Sequence, residues 1–324
     1  MSETILLSFV IPCYRSEKTL EGVVDELRET VKTRSGFDYE IILVDDSSPD
    51  GVFEVIERLS AADPKIIGLS FAKNFGQHSA LMAGLKVSRG DVVVCLDDDG
   101  QTPANELFEL VDSLGADVDV AYASYIWPGS GKKHNGFRRF GSRVNDLMFR
   151  LLLKKPKELE VTSYFAAKRY LVDEACRYGN PFPYAVGLIL RSTNRIVNVP
   201  VKHRAREIGN SGYTLKKLFA LWFNGFTTFS VVPLRAATFV GAMSAVVGFI
   251  YALYLIIRKL VVPTVVLGYA STMAAILFIG GVQMLLIGIL GEYVGRTYVS
   301  INNNPQYVIR RTTANYSSQS EVSL

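Results

Sequence analysis

Cysteine is scarce in this chain: three in 324 residues, at Cys13, Cys95 and Cys176, scattered and never in CxxC spacing. That excludes a disulfide framework and a thiolate zinc site, and it suits a reduced compartment. A strong charge of one sign is also lacking. The formal net charge is +4, too small by itself to argue for nucleic acid. The opening MSETILLSFV contains Glu3, has no basic n-region and breaks its apolar run at once, so it predicts a first strand and not a signal peptide. The most abrupt absence is that of charge along the chain. Residues 236–257 and 265–290 contain no Asp, Glu, Lys or Arg. At about 1.5 Å per residue the first of these runs reaches about 33 Å, enough for a hydrocarbon core of about 30 Å.

What is present falls into two styles. Hydrophobic residues make up 49% and charged residues 20%, but up to about Arg206 they alternate in blocks. ILLSFVIP, YEIILVDDSS, KIIGLSF, DVVVCLDD and DVDVAYASY read as strands. Between them lie helical patterns at 17–32, 52–60, 76–87 and 104–114, the first with Leu20, Val23, Val24, Leu27 and Val31 on one face. Strands alternating with helices of this length predict an α/β domain with a mostly parallel sheet flanked by helices, over 1–212. The strands are continuously apolar, as expected when both faces of a sheet are covered.

The basic residues are clustered. Lys132, Lys133, Arg138, Arg139 and Arg143 form one group near a loop and a predicted helix at 137–153, and Lys202, Arg204, Arg206, Lys216 and Lys217 form another. A solvated face, an anionic substrate and an anionic membrane surface all fit such groups. Segment 213–232 sets Lys216 and Lys217 against Leu215, Leu218, Phe219, Leu221, Trp222 and Phe223, the pattern of amphipathic interface helices. The two uncharged runs, within 233–294, then predict a transmembrane helical hairpin with a short turn. Basic residues flank it on the outer sides (Lys216, Lys217 and Arg235 before; Arg296, Arg310 and Arg311 after), against Arg258 and Lys259 in the turn. That bias places both termini and the large domain in the cytoplasm. The tail at 295–324 is polar, with its last fifteen residues expected to be disordered.

In parallel α/β sheets, ligands sit beyond the carboxyl ends of the strands. The segments there are PCYRSE, DDSSPDG, AKNFGQH and DDDGQTP. Asp97 and Asp99 are two apart, which regular pleating would point to one side. Three adjacent carboxylates call for a cation, and Gln101 adds a neutral oxygen. An all-oxygen set favours Mg²⁺ or Mn²⁺, and magnesium typically completes its shell with phosphate oxygens, so a nucleoside diphosphate is the expected ligand. Turn aspartates capping the helix from Ala104, or a DxDG phosphatase motif, are competing readings; the latter normally opens its fold, whereas here three α/β units precede it. Asp45 and Asp46 are placed to meet a ribose or base.

Together these residues resemble the GT-A-fold glycosyltransferases of family 2. Within it they resemble the membrane enzymes that move a sugar from a nucleotide to a polyprenyl phosphate: dolichyl-phosphate mannose synthases, bactoprenol glucosyltransferases and the undecaprenyl-phosphate aminoarabinose transferase. The similarity runs from FVIPCYRSE through ILVDDSSPDG, NFGQHSALMAGL, LDDDGQTP and REIGNSGYTLKKL to GILGEYVGR. It implies a Rossmann-like GT-A domain and roles for matching positions. Pro12, Tyr14, Glu17 and Asp45 correspond to nucleotide contacts, with Asp46 beside them as a further nucleotide-binding candidate; Asp97 falls where nucleotide and metal meet, and Asp99 with Gln101 matches the metal ligands. Arg206 corresponds to an arginine on the donor pyrophosphate, with Ser211 in the same loop, and Arg138 and Arg143 to residues holding the acceptor phosphate. The sequence departs from the family where DADLQ reads DDDGQ and GESKY reads GNSGY. Glu160, Thr162 and Phe165 also stand where relatives often carry an Asp-x-Gly and an arginine.

The implied reaction is inverting transfer from a nucleotide sugar, UDP-linked, to undecaprenyl or another polyprenyl phosphate at the cytoplasmic face of the inner membrane. Mg²⁺ or Mn²⁺ would be the cofactor; a homo-oligomer, such as a tetramer, and a flippase are the implied protein partners, with no nucleic acid. An acceptor phosphate is already anionic, so no strong base is required; Asp98 is the nearest candidate, and His78 and His203 read as structural. A processive polysaccharide synthase would need a QxxRW motif and more spans. A catalytically inactive scaffold for a flippase or export complex is the rival from another class, as is transfer to a different lipid.

Overall fold

The computed structural model describes residues 4–126, 159–181, 183–202, 204, 268–301 and 304–316, together with 238–239, 241–243, 246–251, 253–254 and 257. The chain divides into two compact units, Met1–Tyr213 with Asn303–Leu324, and Thr214–Asn302.

The first unit is an α/β domain. In chain order it contains β1 (Ile5–Cys13), α1 (Leu20–Lys32), β2 (Phe37–Asp45), α2 (Val52–Ala62), β3 (Ile66–Phe71), α3 (Gln77–Val87) and β4 (Val92–Cys95). These are followed by α4 (Leu107–Ser113), β5 (Val120–Ile126), β6 (Phe165–Lys168), α5 (Arg169–Cys176), α6 (Ala185–Ser192) and β7 (Ile196–Lys202). A short 3₁₀ turn, Ala104–Glu106, precedes α4. The helices expected at 17–32, 52–60, 76–87 and 104–114 appear within a few residues of those limits, because apolar spacing is the strongest local signal. On α1 the predicted stripe of Leu20, Val23, Val24, Leu27 and Val31 is the buried face. It packs in the main core with Phe9, Ile11, Ile41 and Leu43 from the sheet.

The eight-stranded sheet, completed by β8 (Ile309–Thr312), has the order β7-β5-β6-β4-β1-β2-β3-β8. Its central block β4-β1-β2-β3 is parallel, and β3 is buried along its whole length, as two covered faces require. The sheet is mixed beyond that block and less parallel than predicted: β6 runs antiparallel between β4 and β5, and β5 pairs parallel with β7. A short apolar run carries no sign of its direction, which the intervening chain decides.

The tail corrects another expectation. Residues 310–312, counted as part of a disordered tail, belong with Ile309 to β8 (Ile309–Thr312), an antiparallel strand on the outer edge of β3. Thr313 and Gln306 are buried beside it. Polarity misled here because an edge strand exposes most of its side chains and is held through its backbone.

In the second unit, α7 (Tyr269–Ile301) is 33 residues long, about 50 Å at 1.5 Å per residue. Its stretch Phe278–Gly295 has a mean hydropathy of 1.5 and no buried residue, so it is long and apolar enough to cross a membrane. Among the described residues it is the one helix that is; a shorter apolar helix covers Gly241–Tyr251. The predicted span at 265–290 therefore lies largely within a helix that continues to Ile301. The expected helix at 137–153 and the amphipathic segment fall outside the described residues.

Candidate functional site: the β1/β4 switch point

Chain order reverses between β1 and β4: β2 and β3 lie to one side of β1, while β4 lies on the other. The crevice beyond the carboxyl ends at such a point is the usual ligand site of an open α/β sheet. Here the PCYRSE loop after β1 meets DDDGQ after β4. The parallel register sets Val10 beside Cys95, so three residues further on Asp98 comes level with Cys13. The Tyr14 N–H donates to Asp98 Oδ2 at 2.8 Å, and the Thr19 hydroxyl donates to the Asp98 carbonyl at 2.7 Å. Burial pushes the Asp98 carboxyl up to about 6, although the Tyr14 N–H bond favours its charged form. The candidate base is thus engaged in fastening two loops together.

Asp97 faces the other way. Its Oδ1 accepts from Gln77 Nε2 at 2.9 Å and its Oδ2 from the Ser163 hydroxyl at 2.5 Å. Sequence reasoning named neither partner. The antiparallel β4–β6 register pairs Cys95 with Phe165, so stepping two residues along each strand sets Asp97 opposite Ser163. Without the direction of β6 no spacing could have shown this. In the same departing segment, Glu160 accepts from the Ser124 hydroxyl at 2.7 Å and the Thr162 hydroxyl donates to the Ala123 and Tyr164 carbonyls at 3.0 Å, while Phe165 is buried in β6.

Asp99 and Gln101 share one turn, in which the Gln101 N–H donates to Asp99 Oδ1 at 3.1 Å. Gly100 between them has φ +71°, a left-handed conformation that glycine adopts at little cost. That accounts for the glycine in DDDGQ. Among the described residues no three His, Cys, Asp or Glu side chains are grouped to hold a metal. One carboxylate, one amide oxygen and no soft ligand nevertheless fit a Mg²⁺ or Mn²⁺ ion that takes its remaining oxygens from water and a diphosphate.

The loops after β1 and β2 interlock. The Arg15 N–H donates to Ser48 Oγ at 2.7 Å, and the Ser48 hydroxyl donates to Asp50 Oδ1 at 2.5 Å. The Glu17 N–H donates to Asp50 at 3.1 Å, and Glu17 Oε2 accepts the Gly51 N–H at 3.2 Å. Arg15 (φ 60°) and Ser47 (φ 54°) hold left-handed conformations in these loops, uncommon for such residues and a mark of functional segments. Pro12 is buried at the end of β1, whereas Tyr14 is 44% exposed and Glu17 is exposed.

Asp45 and Asp46 are both 3% exposed. Asp45 accepts the Ser48 N–H at 2.7 Å and the Ser70 hydroxyl at 2.6 Å. Asp46 takes the N–H groups of Phe75 and Gly76 at 2.7 and 2.8 Å, and burial pushes its carboxyl up to about 6 despite those bonds. The rise from 3.8 to about 6 corresponds to on the order of 3 kcal/mol. Between those values the folded chain binds more protons than the unfolded one, so this group lowers stability as pH rises from about 4 to 6. Asp46→Asn is expected to be less stable throughout, because its amide nitrogen meets an N–H. Its thermal midpoint, followed from pH 4 to 7, should lack that share of the decline; a slope matching the unaltered protein's would refute the shift.

His78 lies at the start of α3 with its ring 4.3 Å from that of Tyr184, and burial pushes its pKa down to about 4. It is neutral at pH 7, and its Nδ1 has no hydrogen-bond partner, so the hydrogen bond expected of a structural histidine is not made at that nitrogen and the ring packs against Tyr184 instead. Arg204 donates twice to Glu26 at 2.7 Å and to Asn105 at 2.7 Å, and its N–H reaches the Gln101 carbonyl at 3.3 Å. This member of the second basic cluster is therefore committed within the protein. Arg138, Arg143, His203, Arg206 and Ser211 lie outside the described residues.

A parallel block whose polar loops converge at the switch point, with an acidic oxygen-rich turn at its edge, defines an open α/β domain with its ligand crevice at that point. Comparison makes the assignment specific. Residues 8–175 match the Glycosyl transferase family 2 profile and 232–297 match the GtrB C-terminal hairpin. The chain belongs to glycosyl transferase family 2. It is 30% identical over 308 residues to a prophage bactoprenol glucosyl transferase homolog of Escherichia coli (strain K12), covering 94% of this chain and 98% of that one. It is 32% identical to the undecaprenyl-phosphate 4-deoxy-4-formamido-L-arabinose transferase of Pseudomonas fluorescens (strain SBW25), covering 95% and 90%. Glucosyl-3-phosphoglycerate synthase of Mycobacterium tuberculosis, solved with Mn²⁺, UDP-glucose and phosphoglyceric acid, shares the fold. Its TM-score is 0.51 at 22% identity, over 69% of this chain and 78% of that one.

Proposed function

We propose that the protein transfers a sugar, with inversion, from a nucleotide donor (a UDP-sugar) to undecaprenyl or another polyprenyl phosphate at the cytoplasmic face of the inner membrane. The observation that carries this reading is the joining of the β1 and β4 loops through Tyr14 and Asp98, which frames a crevice bordered by exposed Tyr14, Glu17 and the Asp99 turn. The acceptor follows from relatives matched over more than nine-tenths of this chain and named for bactoprenol and undecaprenyl phosphate.

In this reading Tyr14 and Glu17 contact the nucleoside, and Pro12 closes the pocket floor. Asp45 and Asp46 keep the floor rigid through Ser48, Ser70, Phe75 and Gly76, and any remaining lone pairs face the ligand. Asp97, aligned by Gln77 and Ser163, accepts a hydrogen bond from the donor. Asp99 and Gln101 would hold Mg²⁺ or Mn²⁺, which when bound supplies positive charge to the leaving diphosphate. Arg206, with Ser211 in its loop, holds the same diphosphate through a planar fork, and Arg138 and Arg143 hold the acceptor phosphate in line. An oxygen of that phosphate attacks the anomeric carbon while the bond to the diphosphate breaks, and the nucleoside diphosphate leaves with the electron pair. No proton has to be removed first, so catalysis is positioning and electrostatics.

The described apolar helix and the hairpin profile support a two-span anchor, with an amphipathic segment at the bilayer surface beside a lipid headgroup. A homo-oligomer and a flippase partner complete the reading. Membranes containing the protein, given labelled nucleotide sugars, undecaprenyl phosphate and Mg²⁺ or Mn²⁺, should pass label from one donor into the lipid fraction. If no donor of a broad panel does so, and Asp99→Ala cells behave as unaltered ones, the scaffold reading replaces this one.

A further inference from the structure

We propose that residues 306–315, the strap that follows α7, position the donor site, and that Tyr307 is the positioning residue. The inference rests on the nucleotide-binding reading above. The strap is anchored along its whole length. Gln306 Nε2 donates to the Tyr178 and Asn180 carbonyls at 2.7 and 2.9 Å. The Ala72 N–H donates to the Val308 carbonyl at 2.9 Å, and Thr313 exchanges bonds with Gly68 at 2.9 and 3.0 Å. At the far end, Asn315 Nδ2 lies 2.8–3.2 Å from oxygens of Ser60, Asp63 and Ile66.

Two features of this strap point at the rim. Its strand pairs Arg311 with Ser70 and Ile309 with Phe71, with an irregularity between them; Ser70 is the residue whose hydroxyl holds Asp45. The ring of Tyr307 stacks on Phe71 at 5.1 Å and 9°, and Phe71 meets Phe75 edge-on at 5.7 Å. The Lys86 ammonium of α3 lies over the same Tyr307 ring, 5.5 Å from its centroid. Phe75 begins the short turn whose N–H groups at 75 and 76 hold Asp46 and whose Gln77 holds Asp97. One continuous ring contact, Tyr307–Phe71–Phe75, thus runs from the C-terminal strap to the turn that holds Asp46 and Asp97, while Asp45 is reached through the pairing of Arg311 with Ser70. Packed rings with defined geometry transmit a displacement because dense interiors resist deformation. The strap offers the donor pocket a support contributed by the chain immediately after the apolar helix.

The test compares two sites on the same strap. Purified full-length protein is titrated with UDP, GDP, CDP and dTDP, each with Mg²⁺, and its thermal midpoint is measured. Tyr307→Ala should weaken binding of the preferred diphosphate by about tenfold, and Tyr307→Phe, which keeps the stack, should restore it. Asn315→Ala should lower the midpoint at least as much yet leave affinity unchanged, because it acts at the α2 end. Should Tyr307→Ala fail to fold, Tyr307→Leu keeps the apolar bulk without the stack and should show the same loss. Unchanged affinity in the foldable Tyr307 variant, or an equal loss in Asn315→Ala, overturns the proposal. If the unaltered protein binds none of the four diphosphates, the nucleotide reading itself fails and takes this inference with it.

Discussion

Asp99→Ala is expected to reduce transfer by about 10²–10³, the range seen when one preorganised charge-stabilising group is removed. The loss should fall on kcat, since the leaving diphosphate gains most of its charge in the transition state, not in the bound donor. Asp99→Asn retains an oxygen but not the charge, and an intermediate rate is expected. Measuring initial rates against Mg²⁺ concentration separates the roles: the asparagine variant should need more metal to reach its own maximum, whereas the alanine variant should not recover at any concentration. Asp99 sits in a turn beyond β4 that glycine makes flexible enough to rebuild, so the thermal midpoint should hold within a few degrees. A rate within threefold of the unaltered enzyme would remove Asp99 from the chemistry. It would also leave the Mg²⁺ or Mn²⁺ expectation without its principal ligand.

Legibility followed how far along the chain each cause acts. The stripe on α1 and the apolar runs of β1 to β4 are local patterns, and they appeared where expected. The rim was legible as a set of segments, because parallel strands bring all their carboxyl ends to one edge. Hydrogen-bond partners were not legible. Asp98 meets Tyr14 across 84 positions, and Asp97 meets Ser163 across 66; both pairings depend on strand register, which no single segment encodes. The role expected of Asp98 changed for that reason. Composition made it only the nearest candidate for a base that the reaction does not require, whereas in the fold its side chain and carbonyl fasten the β1 loop to the β4 loop. The tail was misjudged for the opposite reason. Ile309–Thr312 is too short and too charged to read as a strand, and its stability comes from backbone pairing with β3 and from Tyr307, Thr313 and Asn315 at its flanks.

Arg204 and Arg206 provide the sharpest contrast, because composition placed them in one basic cluster. Arg204 is bonded to Glu26, Asn105 and the Gln101 carbonyl, and with its side chain 41% exposed and that of Glu26 26% exposed, the pair contributes about 1 kcal/mol at most. Arg204→Ala should therefore lower the thermal midpoint by a few degrees and leave kcat within about threefold. Arg206→Ala should do the reverse, cutting kcat and kcat/KM together by about 10²–10³ with little change in midpoint. Arg206→Lys separates charge from geometry: lysine brings a positive point charge but not the two-pronged fork that fits phosphate oxygens, so it should recover only part of the loss. The pair is decisive because electrostatic attraction by a general basic patch would make the two alanine variants alike, and high salt would then erase the difference between either of them and the unaltered enzyme. A specific diphosphate contact predicts instead that the Arg206 defect persists at high salt and that the Arg204 defect never reaches the rate.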